Sequence, residues 1–423
     1  MEQLREYLRT PAGKGFVLLG IMAAAFGMSM SSQENIVTNY FEDVLGLEGP
    51  QFGYITAIRE VPGFLLIFLT ALFYKMTIPR LTAMALVLLA VGYVLFGLSN
   101  SFWTVAPWVV LSSMGYHTVL QTQSALGMSL TTENKSGSIL GKMTAIHNGG
   151  ALVAMIFVLV VFYFDLLSYR PMFVIAGGLG LVAAFAVFRF PNLQDGQEHL
   201  TPPPQRARFV LNRSYKYYYF LNLLDGGRQQ IFFSFGLWVL VNNYGLIVWQ
   251  ISALLIGVKL AAMISGPWIG RMIDMHGERR MLGIINFAYI FALGGYALID
   301  SVYFAAACYI VYSFIFPLSS VGAATYLRKV AVQREIAPSL AMGVTLNHAA
   351  AIVVPITTGF ILNYVGFQIP FLIACGFATL TIFVTRRLDP ATQKSEARLA
   401  EDAARAALLH QNDPIPATVA DGK

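Results

Sequence analysis

The chain has 423 residues, of which 57% are hydrophobic and 12% charged, with a net charge of +6 and a mean hydropathy of +0.63. Soluble domains carry roughly 25% charged residues, so this composition excludes a water-soluble globular protein and leaves no room for a large soluble domain. The basic excess is spread through short loops rather than gathered on one face, which argues against a nucleic-acid partner.

The opening run MEQLREYLRTPAGKG lacks the apolar core and cleavage site of a signal peptide, so the first apolar segment is expected to stay in place. At about 20 apolar residues per crossing, hydropathy places six spans at 15–38, 52–74, 81–98, 103–126, 139–164 and 171–190. Six more lie at 216–241, 248–270, 282–299, 302–326, 339–362 and 367–385. Unpaired amides are too costly in lipid for open strands, so the spans are helices. The expected fold is an all-α polytopic membrane protein of twelve helices in two six-helix bundles. Residues 1–190 form the first bundle, 191–215 a cytoplasmic linker rich in Pro and charge, 216–388 the second bundle, and 389–423 a cytoplasmic tail. The amphipathic stretch SEARLAEDAARAALLHQ in that tail is expected to be solvated.

Alternate loops differ in charge. One set carries Lys75, Arg80, Lys135, Lys142, Arg271, Arg279, Arg280, Arg328 and Lys329. The other carries Arg170 against Glu42, Asp43, Glu48, Asp165 and Asp300. Because cytoplasmic loops retain Lys and Arg, both termini are expected in the cytoplasm, with the protein in a cell (inner) membrane.

A shift of about 200 residues lays the second half on the first. MTAIHNGGALV (143–153) meets VTLNHAAAIVV (344–354), which superimposes Thr144 on Thr345 and His147 on His348. In that frame Arg59 meets Lys259 and Ser101 meets Ser301. Parallel six-helix repeats of this kind place a substrate site near the midplane between the halves.

The run from Gly266 to Arg280, GPWIGRMIDMHGERR, resembles the conserved loop motif of the major facilitator superfamily. Gly266 and Gly270 make a small-xxx-small face, Asp274 suits a basic neighbour or a helix N-terminus, and Gly277 ends the helix. With Arg279 and Arg280 these form the expected gating motif. The equivalent run of the first half, TALFYKMTIPRL (70–81), keeps only Arg80, so gating is expected to be asymmetric. The resemblance implies secondary transport by alternating access.

Ionisable groups inside spans are costly and mark functional sites. Arg59 and Lys259 lie roughly 12 to 16 Å inside their spans at 1.5 Å per residue, suited to holding an anionic substrate group. The alternative is internal pairing, Arg59 with Glu34 and Lys259 with Asp225. LLDGGRQQ contributes Asp225 as the first proton-carrying candidate, with Glu34 as the second, and Arg228 and Gln229 as substrate ligands. Gly226 and Gly227 are expected to loosen the helix there. His147 and His348 are assigned to substrate hydrogen bonding or proton relay. His117 and Gln121, four apart on one face, are further lining candidates. Glu60 is expected to contact a neighbouring helix rather than the solute. Cys308 and Cys375, in apolar segments without CxxC or His spacing, read as packing residues, and no metal site is expected.

No Walker loop, GxGxxG, HExxH or GxSxG pattern occurs, so neither ATP drive, an enzyme activity nor a cofactor is expected. The expected function is secondary active transport of a small solute, as a proton-coupled or exchange carrier of an organic anion acting as a monomer. Efflux of amphiphilic drugs or metabolites is the alternative, and a non-transporting membrane sensor ranks below both.

Overall fold

A computed structural model describes residues 10–65, 76–130, 136–191 and 212–411, and every regular element among them is a helix. The first half contains α1 (Pro11–Asp43), α2 (Gly49–Phe64), α3 (Ile78–Phe96), α4 (Phe102–Met128), α5 (Ser136–Tyr163) and α6 (Tyr169–Phe188). In the second half α7 is a composite of Lys216–Gln230, a π-helical turn Ile231–Phe235, and Gly236–Asn242. After it come α8 (Val248–His276), α9 (Glu278–Leu298), α10 (Val302–Val330), α11 (Gln333–Val365), α12 (Gln368–Arg386) and, beyond the spans, α13 (Glu396–Gln411). Each expected span falls on one of α1–α12. The second window runs past α2 into residues outside the described set, as does most of the expected linker.

Eight of these helices, α1, α3, α5, α6 and α9–α12, contain stretches long and apolar enough to cross a membrane unaided. The other four spans carry polar residues in their interiors: α2 Arg59 and Glu60, α4 His117 and Gln123, α7 Asp225 and Arg228, and α8 Lys259. Such helices are stable in a bilayer only when their polar faces turn inward.

The repeat is visible in local structure. Ser101 and Ser301 cap α4 and α10, their Oγ atoms accepting from Thr104 N and Phe304 N at 3.4 Å each. The turns after α1 and α7 pivot on Gly46 and Gly245, at φ 57° and 67°, where a side chain would be strained. Just beyond, the amides of Glu48 and Ile247 donate to Gln51 Oε1 and Gln250 Oε1 at 3.1 Å each. These landmarks correct the expected register. The offset that carries Gly46 onto Gly245 and Gln51 onto Gln250 sets Glu60, not Arg59, opposite Lys259.

Within the first half α1 packs on α5 and α6, and α3 on α4 and α6. In the second, α9 packs on α10 and α12, and α7 on α11 and α12. The halves meet where α2 lies along α11 and α5 along α8. That seam is closed at the end bearing the acidic loops. Asn242 Nδ2 donates to Glu42 Oε1 at 2.6 Å and Asn39 Nδ2 to the Leu246 carbonyl at 2.8 Å. Phe52 packs its ring 5.3 Å from Phe235 and 5.7 Å from Trp238, and Tyr163 meets Trp249 at 5.4 Å. Gly53 and Gly359 allow the α2 and α11 backbones to touch, since a Cβ on either would overlap the carbonyl of Pro355 or Gly49.

The chain ahead of the amphipathic stretch is docked on the second half. Ser395 N donates to the Val330 carbonyl at 3.0 Å, Tyr326 to Gln393 Oε1 at 2.8 Å, and Leu388 and Ser395 are buried. The chain therefore docks on the end of α10 before α13 begins, because the carbonyls at that helix terminus need partners.

Replacing either capping serine, Ser101→Ala or Ser301→Ala, is expected to cost about 1 kcal/mol. Unfolding of the purified variants in detergent should show similar losses at the two repeat-related positions.

Candidate functional site

A cavity of about 780 Å³ lies between the halves, walled by α1–α5 on one side and α7, α8, α10 and α11 on the other. Its floor is the closed seam at Phe41 and Phe52, and its lining extends along the helices to Leu19 and Leu140, toward the end with the basic loops. The hydrogen bonds and ring contacts described above hold the halves together at the closed end, and a second set joins them at mid-depth.

That second set centres on Glu60. Its Oε1 pairs with Arg59 Nε at 3.2 Å and its Oε2 lies 3.2 Å from Nδ1 of His348 on α11. The His348 ring stands edge-on to His117 of α4 at 5.3 Å. Arg59 is half exposed to the cavity, with a side-chain exposure of 53% against 12% for Glu60, and its carbonyl accepts from Ser113 Oγ. Glu60 does contact a neighbouring helix as expected, but it also lines the cavity.

The other expected ligands divide. Lys259, Glu34, His147, His348, His117, Arg59 and Gln229 all line the cavity. Neither alternative pair forms: Arg59 is with Glu60, and Lys259 and Glu34 have no ion-pair or hydrogen-bond partner among the described residues. His147 is held by the close crossing of α1 and α5, where Gly27 abuts its carbonyl and Phe26 packs 5.4 Å from its ring. Gln229 Oε1 accepts from Asn347 Nδ2 at 3.4 Å.

Asp225, Arg228 and Gln121 stand outside the lining, which corrects their expected roles. Arg228 points away from the cavity into the second half and is fully buried. Asp225 pairs with it as the three-residue spacing predicts. The guanidinium carbon sits 3.4 Å from the Tyr289 ring centroid and 5.3 Å from that of Tyr312, and Nη2 donates to Ser319 Oγ at 3.4 Å. Tyrosine faces and one carboxylate thus compensate a cation that no water reaches. Gln121 is exposed because the lining face of α4 runs through His117, Leu120, Gln123 and Ser124 instead.

Gly226 and Gly227 do not loosen α7. They remain helical and let Asn347 and Phe377 approach closely. The irregularity comes one turn later, in the π-helical residues Ile231–Phe235, directly after the two glutamines that line the site. An inserted residue of this kind turns the next stretch of helix about its axis and is common beside functional sites. The lining tyrosines Tyr93, Tyr116 and Tyr309 were not expected from the sequence. Their signal was a hydroxyl in an apolar span, which needs a polar surface to meet.

Of the gating motif, Gly266, Gly270 and Asp274 lie on α8 with side chains outside the described set. Gly277 separates α8 from α9 at φ 76°, as its place in the motif predicts. Arg279 and Arg280 are exposed on the first turn of α9. Between them and Gly277 is Glu278, buried and paired with Lys329 Nζ at 2.6 Å. This link joins the α8–α9 turn to the end of α10.

The family model described as Major Facilitator Superfamily matches residues 218–417. By fold the chain is similar to a solved mutant of the nucleoside transporter NupG, with a TM-score of 0.75 and 15% identity over 88% of this chain and 99% of that one. It is also similar to a bacterial homologue of the human lysosomal transporter Spinster, solved in an inward-facing and occupied conformation, with a TM-score of 0.63 and 14% identity over 94% and 96% of the two chains. Among curated proteins, none matches it by sequence.

Removing one member of a buried pair strands the other charge at a cost of about 3–5 kcal/mol. Asp225→Ala is therefore expected to lower the thermal stability of the purified protein sharply while leaving ligand affinity per folded molecule unchanged. A pH profile of transport altered without loss of stability would instead return Asp225 to a proton-carrying role.

Proposed function

We propose that the chain, whose residues 218–417 match the Major Facilitator Superfamily, is a secondary transporter of a small solute bearing an anionic group. The observation that carries this reading is Lys259, a cation on the wall of a cavity closed at one end and without a partner among the described residues. An unpaired ammonium inside a membrane-embedded wall is costly unless water or a ligand meets it. A carboxylate or phosphate docking there is a charge-assisted contact in a region of low dielectric. Arg59 faces the same space, and Gln229, His147 and His348 line it as further polar groups.

The basic loops orient the open end of the cavity toward the cytoplasm, with both termini on that side of a cell (inner) membrane. Alternating access then requires the contacts at the acidic end to part while the halves close at the basic end. The ionisable link that opposes this motion is Glu60, which reaches from α2 to His348 on α11. The titratable and charged groups facing it are Arg59 on its own helix, His117 on α4 and His348 on α11. Protonating Glu60 removes the ion pair with Arg59 and turns the His348 contact into a neutral hydrogen bond. The seam is loosened, and uptake is thereby coupled to a proton gradient. A single chain encloses the whole cavity, so a monomer suffices for transport.

The second reading, efflux of amphiphiles, is favoured by the aromatic floor formed by Phe41 and Phe52 and by Phe26 and Phe233 on the walls. It differs in having no requirement for Lys259.

In proteoliposomes, Lys259→Gln is expected to weaken uptake of anionic solutes on the order of 10- to 100-fold, the loss of one charge-assisted hydrogen bond worth about 1.5–3 kcal/mol. Unchanged anion uptake, or drug efflux that survives the substitution, would favour the second reading. Glu60→Gln should abolish the response to an imposed pH gradient while solute exchange continues. Gradient-driven uptake that persists would remove Glu60 from coupling.

A further inference from the structure

Among the described residues, four charged side chains face the cavity, and two of them satisfy each other: Arg59 and Glu60, at 3.2 Å. The remaining two, Glu34 on α1 and Lys259 on α8, have opposite signs and stand on opposite halves. Neither has an ion-pair or hydrogen-bond partner among the described residues. A monoanion bound at Lys259 would neutralise one of them and leave the other bare. A ligand carrying both charges would leave neither.

The surroundings of the two groups also differ in kind. Glu34 is exposed and lines the cavity together with Tyr93, Tyr116 and Tyr309. Phe26, on the same helix as Glu34, lies 6.5 Å from the Tyr116 ring. Aromatic faces beside a carboxylate form a receptor for an ammonium or alkylated ammonium group. Lys259 instead lines the cavity from the second half with Gln229, whose side-chain amide offers a second donor to an anion.

We propose that the substrate is zwitterionic and amino-acid-like, its carboxylate on Lys259 and its ammonium on Glu34 among Tyr93, Tyr116 and Tyr309. This rests on the reading of Lys259 as an anion site and adds the second charge that the same cavity must hold. Because the two charged groups sit on different halves, only a ligand spanning both engages the cavity fully, which favours closure around zwitterions over either monopolar analogue.

The test uses the purified full-length protein in lipid nanodiscs and matched sets of three probes: amino acids, their deaminated carboxylates and their decarboxylated amines. Phenylalanine, 3-phenylpropanoate and 2-phenylethylamine are one such set. Binding is read by calorimetry and by thermal stabilisation. The expected result is that amino acids bind at least tenfold more tightly than the matching carboxylates and amines. Glu34→Gln should reduce amino-acid affinity to that of the carboxylate while leaving carboxylate affinity unchanged, and Lys259→Gln should weaken both. Carboxylates that bind as tightly as amino acids, or a preference that Glu34→Gln leaves intact, would overturn the zwitterion site while preserving the anion reading if binding still needs Lys259. Binding of these probes that is indifferent to Lys259, or no binding by any set, would overturn both.

Discussion

A polar group set in hydrocarbon must find a partner or an internal wet surface, and that constraint arranges this protein. Twelve helices supply far more apolar surface than the bilayer needs, so the few polar residues decide which faces turn inward. Arg59 and Glu60 on α2, His117 on α4 and Lys259 on α8 turn to the cavity wall, while Arg228 on α7 is buried within the second half. Arg228 shows the constraint at its strictest. Being fully buried, it is enclosed by Asp225, Ser319 and two tyrosine rings, with both polar contacts made through Nη2.

The same constraint makes the halves separable. Where α2 meets α11, glycines bring the backbones together and aromatic rings fill the floor, but the polar links are few and each is reversible. Asn242 to Glu42, Asn39 to Leu246 and Glu60 to His348 can be exchanged for water or for a solute without exposing a buried charge in lipid. Packed interfaces of this sort switch between discrete arrangements rather than deforming continuously. A cavity bounded by such links can therefore open on either side in turn.

Much of this was legible in the sequence, and the failures have physical causes. Hydropathy located the spans because the lipid requirement acts on composition alone, and the capping serines marked equivalent helix starts. The repeated histidines both line the cavity, in segments that match weakly in identity but keep the same register. The expected equivalence of Arg59 with Lys259 is not found, because the halves match poorly there and one residue of slippage rotates a helix position by about 100°. That slippage hid Glu60, the acid that joins the halves. Whether Asp225 and Arg228 face the cavity or the second half depends on which neighbours α7 meets, and Tyr289 and Tyr312 lie far along the chain. Gln121 failed similarly, since the lining face of α4 is chosen by its contacts and not by its own polarity. The docked start of the tail answers to unsatisfied carbonyls at the end of α10, which a composition reading does not see.

Transport by alternating access requires the acidic end of the seam to open. After replacement of Cys308 and Cys375 by serine, a disulfide engineered between Glu42→Cys and Asn242→Cys would tie α1 to α7 across that end. The account predicts that uptake into proteoliposomes stops on oxidation and returns on reduction, while solute still binds from the side of the basic loops. Uptake that continues at full rate through the oxidised protein would contradict it.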